Sequence, residues 1–478
     1  MGQEICGASF RREDFAQFHR HLAQETALLE EWFATNRFDD APPVAGCELE
    51  AWLVDAALRP APVNDRFIQG MDSPLVSPEL ARFNVEFNTA PYSLTGDALS
   101  RLHTELQHTW ELGRRQAQRL DAELVMIGIL PTVGNADLCM ANLSDMNRYR
   151  ALNNEVMRLR QGRPLTLDIH GVEVLRGEHH DVMLESATTS FQVHLQVPPQ
   201  LATRAYNASI IASAPLVAVS ANSPYLFGHD LWAETRIPLF EQSVQVGGYD
   251  EGAHGPMRRV TFGSGYARHS VFECFKENLE HFPVLLPIHF DEGPEQLPHL
   301  RLHNGTLWRW NRPLIGFDNH GKPHLRIEHR VAPAGPTVVD MVANAAFYYG
   351  LAYALCAMAE APENGLPFAQ ARDNFYACAQ LGLDAHLVWL DGQKRPLPSL
   401  LTRTLLPLAA QGLEALGITA ADSERYLGII QQRVLNGCNG AAWQRAFVAR
   451  HGVDMTALLA AYLERQQSGA PVHEWDID

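Results

Sequence analysis

The sequence predicts an α+β body closed by a helical C-terminal part. Two observations carry that prediction. Up to about residue 337, short segments of alternating hydrophobicity are interspersed with longer stretches of helical periodicity. From about residue 338 onward, only the helical periodicity continues. A third observation points the same way: no internal repeat and no low-complexity linker interrupts the 478 residues.

The elements follow in order. Residues 12–35 form an amphipathic pattern through Phe15, Phe18, Leu22, Leu28, Leu29 and Trp32. A loop rich in Asp and Pro follows at 39–43. Residues 46–55 (GCELEAWLVD) and 83–91 (FNVEFNTAP) alternate like strands, and Pro91 ends the second. A long helix is expected at 96–120 and a buried strand at 122–131, closed by Pro131. A polar loop at 132–147 and a helix at 148–160 come next. Residues 189–199 make a clear strand, with Phe191, Val193, Leu195 and Val197 on one face. Gln192, His194 and Gln196 lie on the other. A helix at 200–220 and a turn-rich loop at 221–228 follow.

The Gly-rich stretch 247–268 lacks the strand-then-helix frame of a phosphate loop, so it reads as a flexible loop beside an active site. RPLIGFD (312–318) and HLRIEHRV (324–331) are joined through Asn319-His320-Gly321-Lys322 as a hairpin. Helices are expected at 338–360, 366–380, 398–416, 421–437, 441–451 and 454–467. The chain is expected to divide into an N-terminal helical segment (1–43), a catalytic body (44–360) and a packed helical part (361–478).

Composition narrows the function. Apolar residues make up 46% and charged residues 19%, as in a globular chain. With 38 Lys and Arg against 55 Asp and Glu, the formal charge is −17. That excess argues against nucleic acid, which needs a basic stripe, and against an anionic membrane surface. No apolar run reaches the roughly 18 residues that a membrane span needs, and the N-terminus has no signal-peptide pattern. Gly2 invites myristoylation, but Cys6 stands where Ser or Thr is wanted. Seven scattered Cys without a CxxC pair suit reduced thiols and a cytoplasmic setting better than a disulfide framework or zinc knuckle.

The chemistry lies in acids on segments otherwise built for burial. Glu48 and Glu50 are two apart, so on a strand both leave the same face. Glu86 lies in F-N-V-E-F-N, with Glu79 seven residues earlier in the turn Ser77-Pro78-Glu79. His194 sits on the polar face of its strand. Glu328 and Arg330 are again two apart. Any one pair could simply face solvent from a half-buried sheet. As a set, acids massed on one face repel unless a cation neutralises them. Oxygen ligands with a single His suit Mg²⁺ or Mn²⁺ better than structural zinc.

The ordered set E-x-E, later acids, His strand and E-x-R resembles the glutamine synthetase fold. Within it, the chain is similar to the glutamate–cysteine ligase family, in the carboxylate–amine ligase branch. GCELE, GILPT (128–132), RYRALN (148–153), TSFQVHLQV, SANSPYLFG, LWAETR (231–236) and LRIEHRVAPAGPT (325–337) carry the likeness, from about residue 44 to about 355. The LWAETR block departs from the commonest form, and the helical tail aligns to no block.

The resemblance implies a curved, mainly antiparallel sheet forming an active-site funnel, flanked by helices. It implies one metal at Glu48, His194 and Glu328, and a second at Glu50, Glu79 and Glu86. It gives Glu86 and Glu328 catalytic weight as well. Arg330 would neutralise the transferred phosphate and, with Gln192, contact nucleotide. Arg236, Arg150 and Asn222 are candidates for substrate binding, with Arg258 or Arg259 behind them. The implied partners are ATP, Mg²⁺ and small carboxylate and amine substrates, and the fold is compatible with a homodimer. The implied reaction phosphorylates a carboxylate, glutamate being the family's best-known one, to an acyl phosphate that an amine attacks.

Two rivals stay open on sequence alone. A metal-dependent amide hydrolase could use the same acids without ATP. A catalytically silent relative could bind nucleotide or a partner as a sensor, although it would have no reason to keep six metal ligands. Other features read as packing or surface. His299 and His303 in HLRLH are four apart, but Pro298 and the alternation suggest a strand or loop there. Glu178-His179-His180 reads as a solvated loop, WRW (308–310) as packing, and Cys47 as a small buried hydrophobe.

Overall fold

The structure, a computed structural model, describes residues 4–5, 7–246 and 258–477. Gly2, Cys6 and the 247–257 part of the expected active-site loop lie outside the described residues. Helix α1 (Arg12–Thr35) buries Phe18, Leu22, Leu29 and Trp32. It stops where Asn36 takes the left-handed conformation (φ 52°) and its N–H bonds the Trp32 carbonyl.

The sheet contains β1 (Val44–Val54), β2 (Val76–Pro78), β3 (Asn84–Asn88), β4 (Tyr92–Ser93), β5 (Glu123–Val125), β6 (Phe191–Gln196), β7 (Asn311–Phe317) and β8 (Pro323–His329). Its order is β7-β8-β6-β1-β3-β2, with β4 and β5 also on β1. Every pairing in it is antiparallel, and the sheet curls into a half-barrel. The long β1 is the hub.

Register decides which side chains meet. Glu50 lies opposite Glu86, and Glu48 lies between Asn88 and Gln192. Glu328 lies between His194 and Arg312. Cross-strand partners point to the same face, so all these polar groups share one side of the sheet. Leu49, Phe87, Phe191, Val193, Leu195 and Ile327 alternate to the other side and are buried.

Between the strands run α2 (Ala98–Gln118), α3 (Asn147–Leu159), α4 (Ala202–Ser220), α5 (Arg236–Ser243) and α6 (Pro298–Gly305), followed by α7 (Val338–Ala357). Helices α4 and α7 pack on each other and touch the sheet strands. Helix α7 is long and apolar enough to cross a membrane, and 89% of its most apolar window is buried inside the protein. Asp340 and Asn344 interrupt its apolar run. Both are satisfied internally by Arg433, at 2.7 and 2.6 Å.

The C-terminal helices are tied into the body. The Gly96 N–H bonds the Gly417 carbonyl, and the Thr419 N–H bonds the Gly96 carbonyl, each at 2.8 Å. Asp422 accepts the Ser100 N–H of α2 at 3.0 Å. Tyr462 Oη donates to the Met126 carbonyl at 2.9 Å. The six described cysteines are all unpaired.

Three local expectations need correction. The strand expected at 122–131 shortens to Glu123–Val125, because beyond it Met126 N–H turns to the Gln466 side chain. A Cβ at Gly128 would stand 2.9 Å from that of Pro333, so glycine is needed for the close approach there. HLRLH is helical: Pro298 is the first residue of α6, where its missing N–H costs nothing. Glu178 and His179 belong to a strand, Val174–His179, paired with Leu165–His170, and His179 is buried.

Candidate active site

The polar face of the sheet gathers two groups of side chains that could hold a metal ion. In the first, Glu48, His194 and Glu328 each offer an atom, all within 4.8 Å of one another. In the second, Glu50, Glu79 and Glu86 do the same. Strands β1, β3, β6 and β8 supply five of the six, and Glu79 enters from the residue after β2.

The first set is balanced by arginine. Arg312 Nε and Nη2 donate to the two oxygens of Glu328 at 2.9 and 3.0 Å. Arg330 Nη1 adds a bond to Glu328 at 2.8 Å. Burial opposes ionisation of Glu328, but Arg312, Arg330 and His194 outweigh it and hold the carboxyl well below the usual range. His194 Nε2 lies 3.1 Å from Glu48 Oε1, too poorly aligned for a hydrogen bond. Both its ring nitrogens are therefore buried without a hydrogen-bond partner among the described residues. Orphaned imidazole nitrogens facing two carboxylates fit a metal position.

The second set is not balanced. Burial, with Glu86 adding and Arg330 opposing, pushes Glu50 up to about 7. Burial first, and then Glu86, Glu50 and Glu185, pushes Glu79 well above the carboxylate range. Burial and Glu48 raise Glu86, although Ser77 and Asn88 donate to it at 3.0 and 2.8 Å. Three oxygen donors held together against their own repulsion fit a hard divalent cation.

Gln192 joins the two sets. Its Nε2 donates to Glu50 at 2.8 Å and its Oε1 accepts from Arg330 at 2.5 Å. Its amide is thus engaged within the site, which favours positioning over the nucleotide contact expected of it. The Ser190 N–H also holds Glu50, at 2.6 Å.

The three expected substrate binders do not join this face with free donors. Asn222 is fully buried. Its amide donates to the Ala334 carbonyl and Tyr462 Oη, both at 2.8 Å, and accepts from Gln444 at 3.0 Å. It holds the C-terminal helices to the loop after β8. Arg150 is surface-exposed and pairs with Asp145 at 2.5 Å. Arg236 is buried and bonds Glu234 at 3.2 Å, the Arg330 carbonyl at 3.3 Å and the Val331 carbonyl. It fixes the backbone that carries Arg330. Of the weaker pair, Arg258 reaches Glu241 at 3.5 Å, and Arg259 is buried with bonds to the Thr306 carbonyl and hydroxyl.

Three site residues escaped the sequence reading. Arg312 follows from the hairpin turn, which fixes the register opposite Glu328. Glu185 lies on the short turn Val182–Ala187, and burial and Glu50 push it up to about 8 against Arg330. No periodicity marks it. Arg148 stands beside the second set, and only the phase of α3 separates it from Arg150.

Comparison with known proteins agrees with this architecture. The model of Glutamate-cysteine ligase family 2 matches residues 44–464. The chain is 26% identical over 447 residues to a protein of Mycobacterium sp. (strain JLS) named "Putative glutamate--cysteine ligase 2-1". That alignment covers 90% of this chain and 97% of the relative. A crystal structure of glutamate–cysteine ligase from Francisella tularensis, in complex with AMP, shares the fold. Its TM-score is 0.51 at 12% identity, covering 92% of this chain and 91% of that one. The expected curved antiparallel sheet, flanked by helices and followed by a helical C-terminal region, is the observed fold. With the family matched over most of its length, the chain belongs to Glutamate-cysteine ligase family 2 and is a ligase that forms carbon–nitrogen bonds.

Proposed function

We propose that this ligase is ATP- and Mg²⁺-dependent and joins the γ-carboxylate of glutamate to an amine, that of cysteine or another amino compound. One observation carries the proposal: two complete ligand sets and a braced arginine share one face of the sheet. A carboxylate is a poor electrophile. Transfer of the ATP γ-phosphoryl group makes it an acyl phosphate, the amine attacks its carbonyl carbon, and phosphate leaves. The products are an amide, ADP and phosphate, with the amine proton released.

Mg²⁺ or Mn²⁺, held by Glu48, His194 and Glu328 and by Glu50, Glu79 and Glu86, would spread the charge of the phosphate oxygens. The chain supplies the rest. Arg330 is 8% exposed and braced by Glu328 and Gln192. Its buried Nε has no partner among the described residues, which leaves a donor for the transferred group. Arg236 holds the Arg330 backbone from behind, so the guanidinium is set before substrate arrives.

The test is ADP release with Mg²⁺ or Mn²⁺. Release is expected to need both glutamate and an amine, with cysteine the first to try. A broad panel of acids and amines giving no turnover would overturn the proposal. Mg·ATP is also expected to raise the melting temperature, which a hydrolase using the same acids would not show.

A further inference from the structure

Arg148 is the third residue of the site that sequence left unnamed, and its surroundings are unlike those of Arg330 and Arg236. It opens α3, where Tyr149 Oη donates to the Pro78 carbonyl at 3.0 Å. That bond pins the start of the helix against the residue preceding Glu79. The Arg148 guanidinium lies over the Tyr149 ring, 4.4 Å from its centre, and Nη2 bonds Tyr149 Oη. It therefore stands beside Glu79 and interacts with the charges of Glu79 and Glu86.

Its donors are nevertheless left over. Among the described residues the buried Nε has no hydrogen-bond partner, and Tyr149 is the guanidinium's one hydrogen-bond partner. A guanidinium serving only to neutralise Glu79 and Glu86 would close onto one of them. This one lies on the Tyr149 ring and makes no ion pair with either among the described residues. Arg330 and Arg236, by contrast, are each tied to a carboxylate. An unsatisfied buried donor is costly, and the planar fork of arginine matches the oxygens of a carboxylate or phosphate.

We infer that Arg148 binds a substrate oxyanion at the edge of the Glu50, Glu79 and Glu86 set, either a nucleotide phosphate or the carboxylate of the acid substrate. The inference rests on the ligase reading above and assigns to Arg148 the role that sequence gave to Arg150.

The experiment compares the full-length chain with Arg148→Gln and Arg148→Lys. Mn²⁺ binding alone, followed by electron paramagnetic resonance, is expected to stay within about threefold, because Arg148 is not a ligand. ADP and glutamate binding to the Mn²⁺-loaded chain is then measured by calorimetry. One of them is expected to weaken at least about tenfold in Arg148→Gln, with partial recovery in Arg148→Lys. Loss confined to ADP identifies a phosphate, and loss confined to glutamate identifies a carboxylate. Unchanged affinity for both in a folded Arg148→Gln chain overturns the inference. So does a large gain in Mn²⁺ affinity with both ligands unaffected, the mark of a mere neutraliser.

If the wild-type chain binds neither ADP nor glutamate, the ligase reading has failed. Arg148 is then judged with inorganic phosphate and Mn²⁺. Binding by wild type and not by Arg148→Gln supports it, and equal binding or none overturns it.

Discussion

Arg312 holds both carboxylate oxygens of Glu328, at 2.9 and 3.0 Å, and neither side chain is exposed. The register of the β7–β8 hairpin sets this pair, because the two residues lie directly opposite. Replacing Arg312 by Met leaves a fully buried carboxylate with Arg330 and His194 as its remaining partners. Loss of one member of such a pair costs about 3–5 kcal/mol. Arg312→Met is therefore expected to lower the thermal midpoint sharply, and Arg312→Met with Glu328→Met to recover much of the loss. Scanning calorimetry of the two chains decides it. A single variant as stable as the double would mean that the pair is not a charge couple.

The second acid set predicts opposite effects without and with metal. Glu50, Glu79 and Glu86 crowd three carboxyls into one place. Glu86→Gln keeps acceptors for Ser77 and Asn88 but removes one charge. The metal-free variant is expected to be at least as stable as wild type, by up to about 1 kcal/mol from relieved repulsion. Wild type should gain about 2.7 kcal/mol when Mn²⁺ stands at a hundredfold its dissociation constant. The variant should gain little at that concentration. Melting curves across a Mn²⁺ titration check both halves. An equal Mn²⁺ response in the two chains would remove Glu86 from the ligand set.

Much of this site was legible because a strand repeats every two residues. Once GCELE is a strand, Glu48 and Glu50 must share a face, and the alternation in TSFQVHLQV places His194 on a polar one. The hairpin turn did the same for Glu328. Helical phase was harder to read. In NRYR the two arginines are two residues apart, about 200° around a helix, so they face opposite ways. Which one meets the acids depends on how α3 docks, and its N-cap, Met146, makes no side-chain cap bond to signal it. HLRLH failed for a related reason. Its His residues fit both a period of two and a spacing of four, and Pro298 reads equally as a breaker or a first helical residue. Sequence does not show burial either, and so it could not tell that Arg236 and Asn222 lie inside the protein.

Buried histidines predict an acid-sensitive fold. His303 is 2% exposed, and its Nε2 lies 3.0 Å from the Asn278 carbonyl. Burial, with Arg259, His19 and Arg309 adding to it, holds its pKa down to about 4. An unfolded His takes up its proton near pH 6.5. As pH falls, the unfolded chain is therefore protonated first, and the stability present above about 6.5 drains away down to about 4. The shift corresponds to about 3 kcal/mol. His324, at about 4, and His329, at about 3, add to the same limb. Urea midpoints between pH 7 and 4 are expected to fall less steeply for His303→Gln than for wild type. Parallel slopes would show that His303 does not stay neutral in the fold.

Arg236 allows a sharper separation of positioning from binding. One guanidinium spans the Glu234 carboxylate and two consecutive carbonyls, those of Arg330 and Val331, while lying 5.4 Å from the Trp310 ring centre. A lysine ammonium keeps the charge but cannot span three acceptors in one plane. Arg236→Lys should therefore let the backbone after β8 relax, and Arg330 with it. Misplacement of a group by an ångström can cost about a hundredfold in rate. The expected result is a kcat lowered about 10- to 100-fold with the KM for each substrate changed less than about threefold. A stability loss of about 1–3 kcal/mol should accompany it. If KM for the acid substrate rises instead while kcat holds, Arg236 touches that substrate directly. The buried bonds to residues 330 and 331 would then be secondary to the role its sequence motif first suggested.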